Sequence, residues 1–255
     1  MKGLTPMRRF LLGLSLFALT LTVPALAADA NLQKLITAVN RNYNDFFAKS
    51  FTVDMVSPEI NQLIASVVAA QSKQMGIPMT LALKHFTLTS NGAQITSQAV
   101  LDLADEAMRG MLEPQANQML EAAGVNQAIS NLTLTAVGQA AAILAEKQSL
   151  FTASNDTDAT VLLTATDPDI NFCGLQIKTA RVKLDKANHV IAELRFDFVD
   201  QSALWLRLGH QGALPGAGDI RCPTKIHINH TLKLNAGGIK LPAAIAVEYQ
   251  NYTFR

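Results

Sequence analysis

The sequence is poor in the residues that build catalytic and metal centres. Two cysteines, Cys173 and Cys222, and five histidines are spread over 255 residues. No Gly-x-Ser-x-Gly elbow, no His-Glu-x-x-His pair and no phosphate-cradling glycine loop ahead of a helix is present, so the common hydrolase and nucleotide-binding signatures are missing. "GALPGAGD", residues 212–219, is glycine-rich but lies between strand-like runs and reads as a surface loop. His227 and His230 are three apart, which on a strand puts them on opposite faces, where they cannot share a metal. His230 shares its parity with Ile226 and Ile228 and reads as a hydrogen-bonded core histidine. Asp156, Asp158, Asp167 and Asp169 fall in turn-like contexts; a calcium clip is the other reading of them. The expectation is a non-enzyme with no cofactor and no metal.

Charge of one sign is also lacking. The 21 Lys and Arg nearly balance the 20 Asp and Glu, giving a net charge of +1. Nucleic-acid binding needs clustered basic side chains that displace counterions, and that class is set aside.

The one long apolar run stands at the start. "MKGLTPMRRFLLGLSLFALTLTVPALA", residues 1–27, places Lys2, Arg8 and Arg9 before an apolar stretch from Phe10 to Val23 and ends small-x-small at Ala25 and Ala27. This is the pattern of a cleaved secretory signal peptide; the apolar run is shorter than the roughly 20 residues a spanning helix needs. The mature chain is expected to be a single α+β domain, residues 28–255, in the periplasm, with no transmembrane segment. In that oxidising compartment Cys173 and Cys222 are expected to form a disulfide, with metal binding as the rival reading.

Residues 28–150 are helix-rich. Leu32, Leu35, Ile36, Val39, Tyr43, Phe46 and Phe47 recur at i, i+3, i+4, i+7, the stripe of an amphipathic helix. "FTVDMV", residues 51–56, alternates as a half-buried strand. "SPEINQLIASVVAAQSKQMG" follows with Ser57 as N-cap, Pro58 at the first helical position, Gly76 as stop and a face of Ile60, Leu63, Ile64, Val67 and Val68. Asn91-Gly92 between two β-like runs marks a hairpin. Asp102 to Gly124 reads as helix interrupted at Pro114, with Met108, Met111, Leu112, Met119 and Leu120 on its apolar face. Residues 136–150 read as an Ala-rich helix; residues 125–135 carry no clear period.

From residue 159 to 255 the chain reads as an antiparallel meander with one dry and one wet face. In "HVIAELRFDF", residues 189–198, Val190, Ala192, Leu194, Phe196 and Phe198 oppose His189, Glu193, Arg195 and Asp197. Leu204, Leu206 and Leu208 alternate with Trp205 and Arg207, and Ile226, Ile228, Leu232 and Leu234 with Lys225, His227, Asn229 and Lys233. In the last run, Ile245, Val247 and Tyr249 share one parity and Tyr252 and Phe254 the other. The switch near Gln250 predicts a bulge and argues against a lipid-facing barrel strand.

"DANLQKLITAVNRNYNDFFAKSFTVDM", a helix running into a strand, and the meander from "KLDKANHVIAELRFDF" to "GGIKLPAAIAVEYQNYTF" together resemble the LolA/LolB-like periplasmic lipoprotein carriers. The resemblance implies a curved antiparallel sheet, half-barrel-like, with one face covered by amphipathic helices and an apolar space between for acyl chains. It departs from that pattern at "SPEINQLIASVVAAQ", helical where the carriers have a second strand, and no family residue is carried over. Apolar periodicity nominates the ligand wall instead: Met108, Met111 and Met119 from the helix, with Phe196, Phe198, Leu206, Ile226 and Ile228 from the sheet. The expected role is a carrier or sensor whose ligand is a lipid or other acyl chain. The alternative is a non-catalytic envelope protein that binds a protein partner.

Overall fold

The computed structural model describes residues 30–255 except 75–81, 93, 123, 126–128, 130–132, 173, 233–234, 237–238 and 241. The expected signal peptide, the expected helix stop at Gly76 and Cys173 therefore lie outside the described residues, as does part of the 125–135 stretch.

Helix α1 covers residues 30–48 and leads into β1, Ser50–Val56. Helix α2, Pro58–Gln74, returns the chain to the hairpin of β2, Leu83–Asn91, and β3, Ile95–Leu101. Helices α3, Glu106–Ala122, and α4, Leu134–Glu146, and a single 3₁₀ turn, Gln148–Leu150, complete the first half. The second half is almost wholly β: β4 (Thr152–Ser154), β5 (Thr160–Thr166), β6 (Asn171–Phe172), β7 (Leu175–Asp185), β8 (Val190–Phe198), β9 (Ala203–Gln211) and β10 (Cys222–His230), then a small separate hairpin of β11 (Asn235–Ala236) and β12 (Ile239–Lys240), and finally β13 (Ala244–Phe254).

All pairings are antiparallel, in the order β3-β2-β1-β13-β10-β9-β8-β7-β5-β4, with β6 paired to β7. The result is an open, curved, 11-stranded sheet in an α+β fold, its one apolar face covered by helices. The last strand docks beside the first, so β13 joins the N-terminal β1-β2-β3 unit to the meander. Period-2 burial is the reason this works: Phe51, Val53 and Met55 of β1, Ile245, Val247 and Tyr249 of β13, Leu204 and Leu206 of β9, and Val161 and Leu163 of β5 all face one core.

Two bulges set which residues face in. Asn251, at φ 56°, sits where the β1–β13 register slips, so both Tyr249 and Tyr252 turn toward the helices, as the parity switch predicts. In β8 the alternation does not run straight. Lys183 pairs with Glu193 but Leu184 pairs with Ile191, and the extra residue, Ala192, puts Ile191 into the core in its place.

The helices are seated by polar contacts as well as by apolar stripes. Ser57 caps α2 through Ile60 N–H at 3.4 Å, and Glu59 Oε2 accepts from Ala246 N–H of β13 at 3.4 Å. Helix α3 runs uninterrupted through Pro114, contrary to the break expected there. It guards the sheet edge: Asn117 accepts from Ala99 N–H at 2.7 Å and donates to Ala99 C=O at 2.9 Å, and Glu113 accepts from Leu101 N–H at 2.9 Å. These bonds fill the open ladder positions of edge strand β3.

Candidate functional site

The sheet residues singled out from the sequence come together on the dry face. Phe196, Phe198, Leu206, Ile226 and Ile228 are all buried, on β8, β9 and β10, three adjacent strands. Phe196 lies 4.7 Å from the Phe172 ring and 6.2 Å from Phe198, measured between centroids. Helix α4 turns Leu134, Ala136, Val137, Ala140, Ala141 and Leu144 into the same core. Gly138 of α4 packs under Phe47 of α1: a Cβ there would stand 2.6 Å from Phe47 Cε2, so no larger residue fits without moving the ring.

The methionine stripe is a different matter. Met119 is half-buried, but Met108 and Met111 are 47% and 59% exposed and do not face the core. The side of α3 that meets the protein carries Ala116 and Leu120 together with the edge-capping Glu113 and Asn117. Of the face read from periodicity, Leu120 is buried and Leu112 packs against the core, while Met108 and Met111 turn outward.

The expected cysteine pairing is not seen, since Cys173 lies outside the described residues. Cys222 is a buried free thiol, its pKa pushed up to about 11 by burial, against which Lys49 acts weakly. Phe172 and Leu175, which flank Cys173, sit at the Phe198 end of the strands, where Val199 N–H bonds Gln176 C=O. Cys222 sits at the opposite end, paired with Gln211, and three strand steps away.

A polar contact between α1 and β9 interrupts the dry face, and sequence reading missed it because its members are distant in the chain. Tyr43 of α1 is buried; its hydroxyl oxygen accepts from Ile191 N–H at 3.2 Å and lies 2.9 Å from His210 Nε2, to which it can donate. Burial drives the Tyr43 pKa well above its ordinary value and pushes His210 down to about 4, although Asp185 pulls the latter upward. Both groups are neutral near pH 7. Next to Tyr43, Asn42 accepts from Arg221 N–H at 2.8 Å and donates to Arg221 C=O at 3.1 Å. Beyond these, Phe46 stacks on Phe51 at 4.8 Å and meets Tyr252 edge-on at 6.3 Å. Helix α1 is thus latched across the strand ends by two amide-scale contacts and an aromatic cluster.

His227 and His230 do face opposite sides, the first exposed and the second buried near the backbone of Leu232 and Pro242, where burial lowers its pKa. Among the described residues, no three of His, Cys, Asp or Glu converge as metal ligands, and no helix is long and apolar enough to cross a membrane.

No family model matches the sequence, and no curated protein matches it significantly. Two solved structures are similar in form. One is a domain named for outer membrane lipoprotein sorting, from Vibrio parahaemolyticus, with 10% identity, coverage of 86% of this chain and 91% of that one, and a TM-score of 0.41. The other is a LolA superfamily protein from Nitrosomonas europaea, with 12% identity, coverage of 86% and 93%, and a TM-score of 0.34.

Proposed function

We propose that this chain is an exported, non-catalytic protein of the periplasm that holds a lipid or other acyl chain between its sheet and its helices, as a carrier or sensor. The observation that carries the reading is the shape of the apolar surface: one face of an open sheet, dry from β3 to β5, roofed by α1 and α4. A closed barrel would fix the spacing of its walls, whereas an open sheet under separately tethered helices can widen. Each methylene transferred from water to that space is worth about 0.8 kcal/mol, so a chain of ordinary length can outweigh the contacts between roof and sheet that it displaces. Phe196, Phe198, Leu206, Ile226 and Ile228 form the sheet wall in this reading; half-buried Met119 lies on α3, which is seated on β3.

A fluorescent fatty-acid probe titrated into the purified protein is expected to show saturable binding that unlabelled fatty acid displaces. Probe fluorescence that rises linearly without saturation would remove the carrier role. The partner-binding reading has its own supporting observation, the exposed Met108 and Met111 on α3, since flexible methionine side chains suit a protein-docking surface.

A further inference from the structure

The wet face of the sheet holds a second site of different chemistry. We propose that a groove of about 320 Å³ on this outer face, lined by Leu162, Arg181, Lys183, Glu193 and Arg195, binds a phosphate monoester. It lies on the side of β5, β7 and β8 opposite the apolar core and stands independently of the lipid reading.

Register assembles it. Arg181 pairs directly with Arg195 across β7 and β8, and Lys183 with Glu193 one step further along the same two strands. Leu162 of β5 faces Lys183. Four charged side chains and one aliphatic side chain therefore share a patch two residues long and three strands wide.

The charges do not cancel. Asp197 is the one carboxylate in contact with both guanidiniums: Arg181 Nη1 donates to its Oδ2 at 2.8 Å, and Arg195 reaches its Oδ1 through Nε and Nη2, each at 3.1 Å. One negative charge thus orients two positive ones and leaves the pair with an excess of one. Glu193 lies 3.8 Å from Arg207 of β9, whose guanidinium is held over the Trp205 ring at 4.2 Å. Lys183, though opposite Glu193, makes no ion pair among the described residues, so its ammonium is available to a ligand.

Two guanidiniums pinned side by side with their remaining N–H groups unspent, beside a free ammonium, match an oxyanion that accepts from several directions. A dianionic phosphate ester fits this donor set better than a carboxylate, which has one charge and two oxygens. The groove extends past the charged groups to Leu162, giving the carbon skeleton of the ester an apolar contact. The phosphate can come from a soluble ester or from a lipid headgroup, and the two sources separate experimentally.

Glycerol 3-phosphate titrated into the intact protein at low salt, followed by calorimetry, is expected to bind saturably and to weaken as ionic strength rises. Vesicles of phosphatidylcholine with and without phosphatidic acid form the second arm; retention only by the acidic vesicles assigns a headgroup. Lys183→Gln is expected to weaken whichever ligand binds by about tenfold, because it removes the positive charge of a side chain that makes no ion pair. Glu193→Gln, which removes the one negative charge in the lining, is expected to strengthen it. Neither change disturbs the Asp197 pairs, so thermal unfolding of both variants serves as the folding control. Binding to neither ligand at millimolar concentration, or equal affinity of both variants and the native chain, would overturn the proposal.

Discussion

The two faces of one sheet carry opposite chemistry from the same strands. On β8 the inner side presents Leu194, Phe196 and Phe198 to the core while the outer side presents Glu193, Arg195 and Asp197 to solvent. On β9 Leu204 and Leu206 oppose Trp205 and Arg207, and on β10 Ile226 and Ile228 oppose His227 and Asn229. The inner face is mostly apolar among the described residues, with Tyr43 and His210 meeting at one margin and Ser90, Ser97 and His230 also buried on it. The outer face is a ladder of ion pairs in water. The comparison teaches where stability resides and where recognition of charge can reside: the inside is held by area removed from water, and the outside by pairs that solvent and salt weaken.

Replacing Phe196 by Ala attacks the inner face at its centre. The loss is expected to be about 3–5 kcal/mol by chemical denaturation, from lost transfer energy and from the cavity left against Phe172 and Phe198. A loss below about 1 kcal/mol would mean the inner face is not core at that point.

The Tyr43–His210 contact gives a pH signature. With His210 lowered to about 4 by burial, the unfolded chain binds this proton from near pH 6.5 downward while the folded chain does not. Stability from this group is therefore full above pH 6.5 and is lost as pH falls to about 4, by about 3 kcal/mol at most. His210→Gln is expected to flatten the slope of unfolding free energy across that window; an unchanged slope would show that other groups set it.

Gly92 closes the β2–β3 hairpin at φ 84°, with Ala48 C=O 2.8 Å from where a Cβ would stand. Gly92→Ala is expected to cost about 1–3 kcal/mol, since both the backbone region and the space favour glycine. Thermal melts read this directly.

On the outer face the expected effects are smallest. Glu193→Gln removes a half-exposed pair with Arg207 and is expected to change stability by less than about 1 kcal/mol. A larger effect would erase the contrast between the faces.

Local features were legible in the sequence. The stripe of α1, the Ser57-Pro58 start of α2, the Asn91-Gly92 hairpin and the parity switch at Asn251 are each written within a few residues, and each stands in the structure. What stayed hidden depends on contacts between distant segments. The β1–β13 pairing links residues about 200 positions apart. The Ala192 bulge shows only against β7. Helix α3 misleads because it is seated partly by Asn117 and Glu113 on the edge of β3, so its buried side is not its most apolar one. Cys173 and Cys222 suggest a bridge by number and compartment alone; in the structure Cys222 is a buried free thiol. The burial of Phe196, Phe198, Leu206, Ile226 and Ile228 followed from alternation, whereas the aromatic contacts of Tyr43, Phe46, Phe51 and Tyr252 required the third dimension.

Native mass spectrometry of protein purified from its own cell envelope, followed by solvent extraction, tests the central claim most directly. The account predicts a mass excess that disappears on extraction and matches a recovered lipid in stoichiometric amount. A native mass equal to that of the mature polypeptide, with no lipid in the extract, would contradict it.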